Sequence, residues 1–243
     1  MGPRFKSGVC TTKEKTMANR SKRYKEASQK IDRKKEYPIA EAIQIIKGTA
    51  TTKFDSSVEV HISLGIDIKK AEQTVRGTVM IPHGLGKKRR IAAFVSPEKE
   101  KEAKDAGADI IGDESVIKEI KAKKKCAFDI AIAEPQIMKN LGSIAKILGQ
   151  KGLMPNPKTD TITKDVKKTI EELNAGKAMF RSDDSGNIHQ MIGKVSFDDQ
   201  KLEENYSAFL DAIKKAKPET LKGSYIKQVY LASSMGPSVK VSV

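Results

Sequence analysis

The feature that most constrains the fold of this sequence is a change of pattern that begins at Gly84 and is undone at Gly176. Before Gly84, apolar and polar residues alternate. In residues 57–64, Val58, Val60, Ile62 and Leu64 fall on one side and Glu59, His61 and Ser63 on the other, the period of a half-buried strand. A second strand is predicted over 74–81, ending at Pro82-His83-Gly84. Between the two glycines the chain consists of short apolar runs separated by helical stretches of about ten residues, the grammar of a parallel sheet covered by helices. Strands are predicted at 90–95, 108–111 and 128–133, and helices at 97–106, 114–123, 135–148 and 163–174. After Gly176 the first pattern returns. Residues 177–182 and 188–195 flank the turn-forming cluster Asp183-Asp184-Ser185-Gly186-Asn187 and predict a hairpin. A helix at 199–215 and a strand at 225–231 follow.

A pattern that is interrupted and then resumed predicts one domain built from both chain ends, residues 18–84 plus 176–243, with 85–175 inserted. The expected fold class is α/β in the broad sense: an α+β, split β-α-β domain holding a Rossmann-like parallel α/β unit. The chain must cross between them twice, which makes Gly84 and Gly176 the expected hinge. Near the start, Pro38 opens a short helix with Ile39, Ile43 and Ile46 on one face, which Gly48 is expected to stop.

Charge narrows the partner. Lys and Arg total 46 against 31 Asp and Glu, a net charge of +15, and residues 1–35 alone contribute 12 basic and 3 acidic side chains. An excess of this size attracts polyanions, with nucleic acid ahead of an anionic membrane surface. The basic arm, with Arg20, Lys22, Arg23, Lys25, Lys30, Arg33, Lys34 and Lys35, reads either as a phosphate contact or as a solvated terminus. The charge of the whole chain favours the contact. Met17 reads as a second start, so residues 1–17 form an atypical extension. Aromatic residues make up 5% and Trp is absent, leaving few rings for a single-strand stacking platform; folded RNA read through backbone and shape fits better.

Several chemistries find no support. Cys10 and Cys126 are far apart and form neither a disulfide framework nor a zinc spacing. No apolar run spans a bilayer, and no signal-peptide centre precedes Met17. Gly84-Leu85-Gly86-Lys87-Lys88 lacks the spacing of a phosphate loop, and residues 90–95 are not followed by a dinucleotide fingerprint. His61, His83 and His189 are scattered without a nucleophile or ligand pattern, and Asp183-Asp184 reads as a turn. Lys123-Lys124-Lys125 and Lys87-Lys88-Arg89-Arg90 are basic clusters at element ends. In Ser233-Ser234-Met235-Gly236, a methionine beside a permissive glycine allows close approach of another surface.

Six stretches, in order, resemble the bacterial ribosomal protein L1 family: KFDSSVEVHISLGID at 53–67, VRGTVMIPHGLGK at 75–87, AGADIIG at 106–112, KILGQKGLMPNPK at 146–158, GNIHQMIGKVSF at 186–197 and SSMGPSV at 233–239. The resemblance runs from about residue 18 to the end. It implies the split two-domain fold, no enzymatic activity and no cofactor. It also implies a structural protein of the cytoplasmic ribosome that binds the stalk region of large-subunit ribosomal RNA beside the tRNA exit site. Release of deacylated tRNA, repression of its own operon mRNA, and a monomeric state when free are implied as well. The matching RNA-binding residues are Lys53, Phe54, Ser57, Glu59, Ser234, Met235 and Gly236. Phe54 would lay its ring on a ribose or base, Met235 would fill a minor-groove hollow, and Gly236 would admit backbone contact. The Ser234 hydroxyl would bond a 2′-hydroxyl, Lys53 would supply charge and Glu59 would accept from sugar hydroxyls. The family usually has Thr at Ser234 and Pro-Arg at Gln150-Lys151. An enzyme using the parallel unit, or a free-standing RNA-processing factor, are the competing readings.

Overall fold

The computed structural model describes residues 21–242 apart from positions 33, 34, 69, 124, 164 and 222. The extension before Met17, Cys10, Arg20, Arg33, Lys34 and Lys124 therefore lie outside the described residues. The chain begins with α1 (Lys22–Gln29), α2 (Ile39–Thr49), β1 (Ser57–Leu64) and β2 (Arg76–Met80). Its middle runs through β3 (Ile91–Phe94), α3 (Glu100–Asp105), β4 (Ile110–Ile111), α4 (Glu114–Lys123), β5 (Ile130–Ala133), α5 (Met138–Leu141), α6 (Ala145–Gln150) and α7 (Val166–Ala175). It finishes with β6 (Lys177–Arg181), β7 (Asn187–Lys194), α8 (Asp199–Lys215), β8 (Ile226–Ser233) and β9 (Ser238–Val241).

Three sheets result. A four-stranded antiparallel sheet has the order β7-β1-β8-β9, so β1 from one end of the chain lies between strands from the other. Because side chains alternate, Val58, Val60, Ile62 and Leu64 all point inward, where they meet Ile188, Val229 and Leu231. Ile43 and Ile46 of α2 and Phe209 and Ile213 of α8 close this core, each such side chain contributing roughly 1.5–3 kcal/mol on burial. The opposite face of the sheet stays polar and open, carrying Glu59, His61, His189 and Gln228.

The middle segment forms a three-stranded parallel sheet of order β4-β3-β5. Both faces are covered, which is why β3 and β5 read as unbroken apolar runs. Leu141, Ile144 and Leu148 pack on one face and Val166, Ile170 and Leu173 on the other. A two-stranded ribbon pairs β2 with β6 antiparallel and stands where the chain enters and leaves this segment. Here Gly176 has φ +118° and a Cβ would lie 2.8 Å from the Ile81 carbonyl oxygen, so the close approach of the two crossings needs glycine.

Three expectations are corrected, and two elements are added. Strands β6 and β7 are not a hairpin: β6 pairs with β2 and β7 with β1, and a single bridge, Ser182 to Ile188, joins them. The turn itself forms, with the Asp183 carboxylate accepting from the Ser185 and Asn187 amides, but it passes the chain from one sheet to another. Gly48 does not stop α2, which continues to Thr49, whose hydroxyl bonds back to Ile45 and Ile46 carbonyls. The helix expected at 135–148 is broken by a 3₁₀ turn at Gly142–Ile144, where the Ser143 hydroxyl takes the Asn140 carbonyl. The tail after Met235 is strand β9, and Lys22–Gln29 in the basic arm is helical.

Candidate nucleic-acid interface

The pairing of β1 with β8 sets Val58 opposite Ser233, and just beyond that pair the chain reverses at Ser234-Met235-Gly236 to enter β9. The turn is tied to β1 by its backbone. Ser234 N donates to the Ser57 carbonyl at 2.9 Å, and Ser57 N donates to the Ser234 hydroxyl at 3.3 Å. The Ser234 hydroxyl also lies 3.5 Å from a Glu59 carboxylate oxygen. Gly236 N closes the turn on the Ser233 carbonyl at 2.9 Å. Met235 is held in the left-handed region, φ +68°, a conformation that costs a non-glycine residue roughly 1–2 kcal/mol. Its side chain is 69% exposed. Five of the expected contact residues, Ser57, Glu59, Ser234, Met235 and Gly236, are thus one hydrogen-bonded unit.

Lys53 and Phe54 lie on the loop that leads into the same end of β1. Asp55 fixes this loop: its carboxylate accepts from Ser196 N and Oγ, and its carbonyl accepts from Lys194 Nζ. Ser56 is buried, so the chain is clamped on one side of Phe54 while the ring remains 55% exposed. Phe54, Met235, Ile68 and Met80 are the exposed large apolar side chains among the described residues, and two of them flank this end of β1.

Three residues have placements that the sequence did not foretell. Arg23 of α1 donates to the Met235 carbonyl at 3.3 Å, which nothing in its neighbours foretells. His61 and His189, read as scattered, stand opposite each other on β1 and β7 with Nδ1 atoms 2.8 Å apart. Their outer nitrogens face Glu59 at 3.9 Å and Asp183 at 3.4 Å. Burial, then the neighbouring His189, push His61 below its ordinary value, with Glu59 opposing. Alternation along β1 places His61 beside Glu59 and was the signal available. The third histidine, His83, pairs with Glu204, and its amide is held by buried Asn205.

The Gly84 to Arg89 loop borders a cleft of about 550 Å³ with Gly107, Leu173 and Asn174, at the ends of α3 and α7, where cations meet helix carbonyls. Buried Glu134 is satisfied by Ser96 and Lys99. Arg76 and Arg181 sit directly opposite on the ribbon, at the mouth of a cleft of about 370 Å³, and Arg76 Nε is buried without a partner. Among the described residues, no group of three or more His, Cys, Asp or Glu side chains could hold a metal ion, and no helix is long and apolar enough to cross a membrane.

Residues 46–237 match the model of the ribosomal protein L1p/L10e family. The chain is 51% identical over 225 residues to large ribosomal subunit protein uL1 of Mycoplasma capricolum subsp. capricolum, covering 93% of this chain and 99% of that protein. It is 50% identical, with the same coverage, to large ribosomal subunit protein uL1 of Mycoplasma mycoides subsp. mycoides SC. The chain belongs to the ribosomal protein L1p/L10e family, whose members are structural proteins of the ribosome and not enzymes.

Proposed function

We propose that this protein is a structural constituent of the large ribosomal subunit in the cytoplasm and binds the stalk region of large-subunit ribosomal RNA through Lys53, Phe54, Ser57, Glu59, Ser234, Met235 and Gly236. The observation that carries the reading is the turn at 234–236, locked to β1 by paired hydrogen bonds while Met235 stays exposed. Such a surface is preorganised: it presents a thioether, a bare glycine backbone and a hydroxyl with little left to order on binding.

The domain division at 18–84 plus 176–243 and 85–175, with a hinge at Gly84 and Gly176, belongs to the same reading. It is supported by buried cores that draw separately on the chain ends and the middle. Contact with tRNA at the exit site is supported by the Arg76 and Arg181 pair, since like charges set directly opposite repel unless an anion lies between them. Repression of the protein's own operon mRNA would use the rRNA surface, so the two RNAs would compete. The free protein is a monomer in this reading.

The test is the affinity for a stalk rRNA transcript, across a salt series, of the protein and of its Phe54→Ala/Met235→Ala variant. A stacked ring and a fitted methionine together predict a loss of about 2–4 kcal/mol. Binding that is steep in salt and indifferent to both changes would mean only a general polycation.

A further inference from the structure

The contacts between β1 and β7 form a chain of polar groups that crosses the open face of the sheet. It runs from the Ser234 hydroxyl to Glu59, from Glu59 to His61, from His61 to His189 and from His189 to Asp183. We propose that His61 and His189 are positioning residues for RNA binding: by sharing one proton between their Nδ1 atoms they leave the Glu59 carboxylate free to accept from an RNA sugar hydroxyl. The inference rests on the RNA-binding reading above.

The argument starts from the 2.8 Å separation of the two Nδ1 atoms. Two lone pairs cannot face each other at that distance, nor can two N–H groups; one nitrogen must carry the proton and the other accept it. His189 Nε2 lies 3.4 Å from Asp183 Oδ2, which keeps a proton on that outer nitrogen. Asp183 is itself fixed by the Ser185 and Asn187 amides. His189 therefore has a defined orientation and holds His61 through the shared proton, with His61 Nε2 3.9 Å from Glu59, beyond hydrogen-bond reach. In this state Glu59 keeps its contact with Ser234 inside the RNA-binding turn.

A proton added to the pair goes to His61 Nε2, the one ring nitrogen left bare, because the two Nδ1 atoms already share theirs and His189 Nε2 keeps its own. The His61 ring, now an imidazolium with its new N–H toward Glu59, closes on that carboxylate as an ion pair. Glu59 is then withdrawn from the RNA. The other groups on this face do not substitute for it. Tyr230 of β8 lies opposite His61, and Lys240 of β9 lies opposite Tyr230 with its ammonium 2.6 Å from Glu36. No carboxylate besides Glu59 and Asp183 is in contact with either ring among the described residues.

The experiment compares the affinity of the protein and its Glu59→Gln variant for the stalk rRNA transcript at about pH 7.5 and about pH 5, the lower value set beneath the ordinary histidine range because burial and His189 push His61 below it. Taking the ratio removes the general gain in RNA affinity that any acidified protein shows. The ratio is expected to be about tenfold at the higher pH, as for one charge-assisted hydrogen bond, and to shrink to about twofold at the lower. The same pair of measurements in a His189→Ala background tests the cause. Without the His189 acceptor, His61 can carry its proton on Nε2 and donate to Glu59 at either pH, so there the ratio is expected to stay constant at about twofold. A ratio independent of pH in the parent protein, or one that shrinks equally in the His189→Ala background, overturns the positioning role. Phe54→Ala at the higher pH separates the two levels. If it binds like the parent, the RNA reading itself fails and takes this inference with it; if it loses affinity while the Glu59 ratio stays flat, only the positioning role fails.

Discussion

A Cβ placed on Gly236 would stand 2.2 Å from the Ser233 hydroxyl oxygen, a buried atom with no hydrogen-bond partner. The turn is thus closed against side chains at the point where it is expected to meet RNA. Gly236→Ala should lower stability by about 1–3 kcal/mol, the usual cost of overpacking a tight site, and should weaken stalk RNA binding further by lifting Met235 out of place. Chemical denaturation and RNA titration of the same variant check both.

Lys177 opens β6 with its ammonium 2.9 Å from both Asp160 and Glu172 and largely buried. Burial pulls its pKa down, but hydrogen bonds and charge from Glu172 and Asp160 outweigh this, so it stands above the ordinary lysine value. A raised pKa means stability that is present below the unfolded value and is lost as pH rises through the folded one. Lys177→Met should therefore cost about 1–2 kcal/mol at neutral pH, less than for a fully buried pair because Asp160 is half exposed. The variant should lose less than the parent protein when denaturation is repeated above the ordinary lysine range.

Glu134 titrates at the other end of the scale. The Ser96 hydroxyl, then, against the opposing effect of burial, Lys99 and the Ser96 amide hold its carboxyl below the usual carboxylate value. A depressed acid contributes stability above its unfolded pKa that disappears as pH falls through the folded one. Glu134→Gln should be less stable at neutral pH and should show a flatter acid limb in a pH series of thermal unfolding.

Phe209 of α8 is fully buried, with its ring edge-to-face against Phe180 of β6 at 5.8 Å. Phe209→Ala should cost about 3–5 kcal/mol by cavity formation and lost ring contact. Equilibrium unfolding measures it, and a cost below about 1 kcal/mol would mean that the core around α8 collapses to fill the space.

The elements most legible in the sequence are those whose signals are local. The bounds of β1, α4 and α8 coincide with the expected ones because strict alternation or an amphipathic stripe with charged ends defines each within its own residues. What stayed hidden depends on partners distant in sequence. The choice of β2 rather than β7 as the partner of β6 is made by the two crossings at Ile81 and Gly176, and nothing in 177–195 reports it. Strand β9 is four residues with serine at its start and a glycine-proline turn before it, too short a pattern to stand out. At the candidate site, Met235 and Gly236 were visible as residue types and through the family resemblance. The His61 and His189 contact required the register of β1 on β7, which joins residues 128 apart.

The paired strands β2 and β6 are more than a connection. A segment attached by one linker can swivel about every axis, whereas two tethers running side by side resist twisting and allow bending about a single line. The hydrogen bonds from Arg76–Arg181 to Met80–Lys177 stiffen both tethers together. At the proposed hinge, motion of the parallel sheet relative to the four-stranded sheet would then be confined to one plane, so RNA held by one and a ligand held by the other would feel each other's position as a direction as well as a distance.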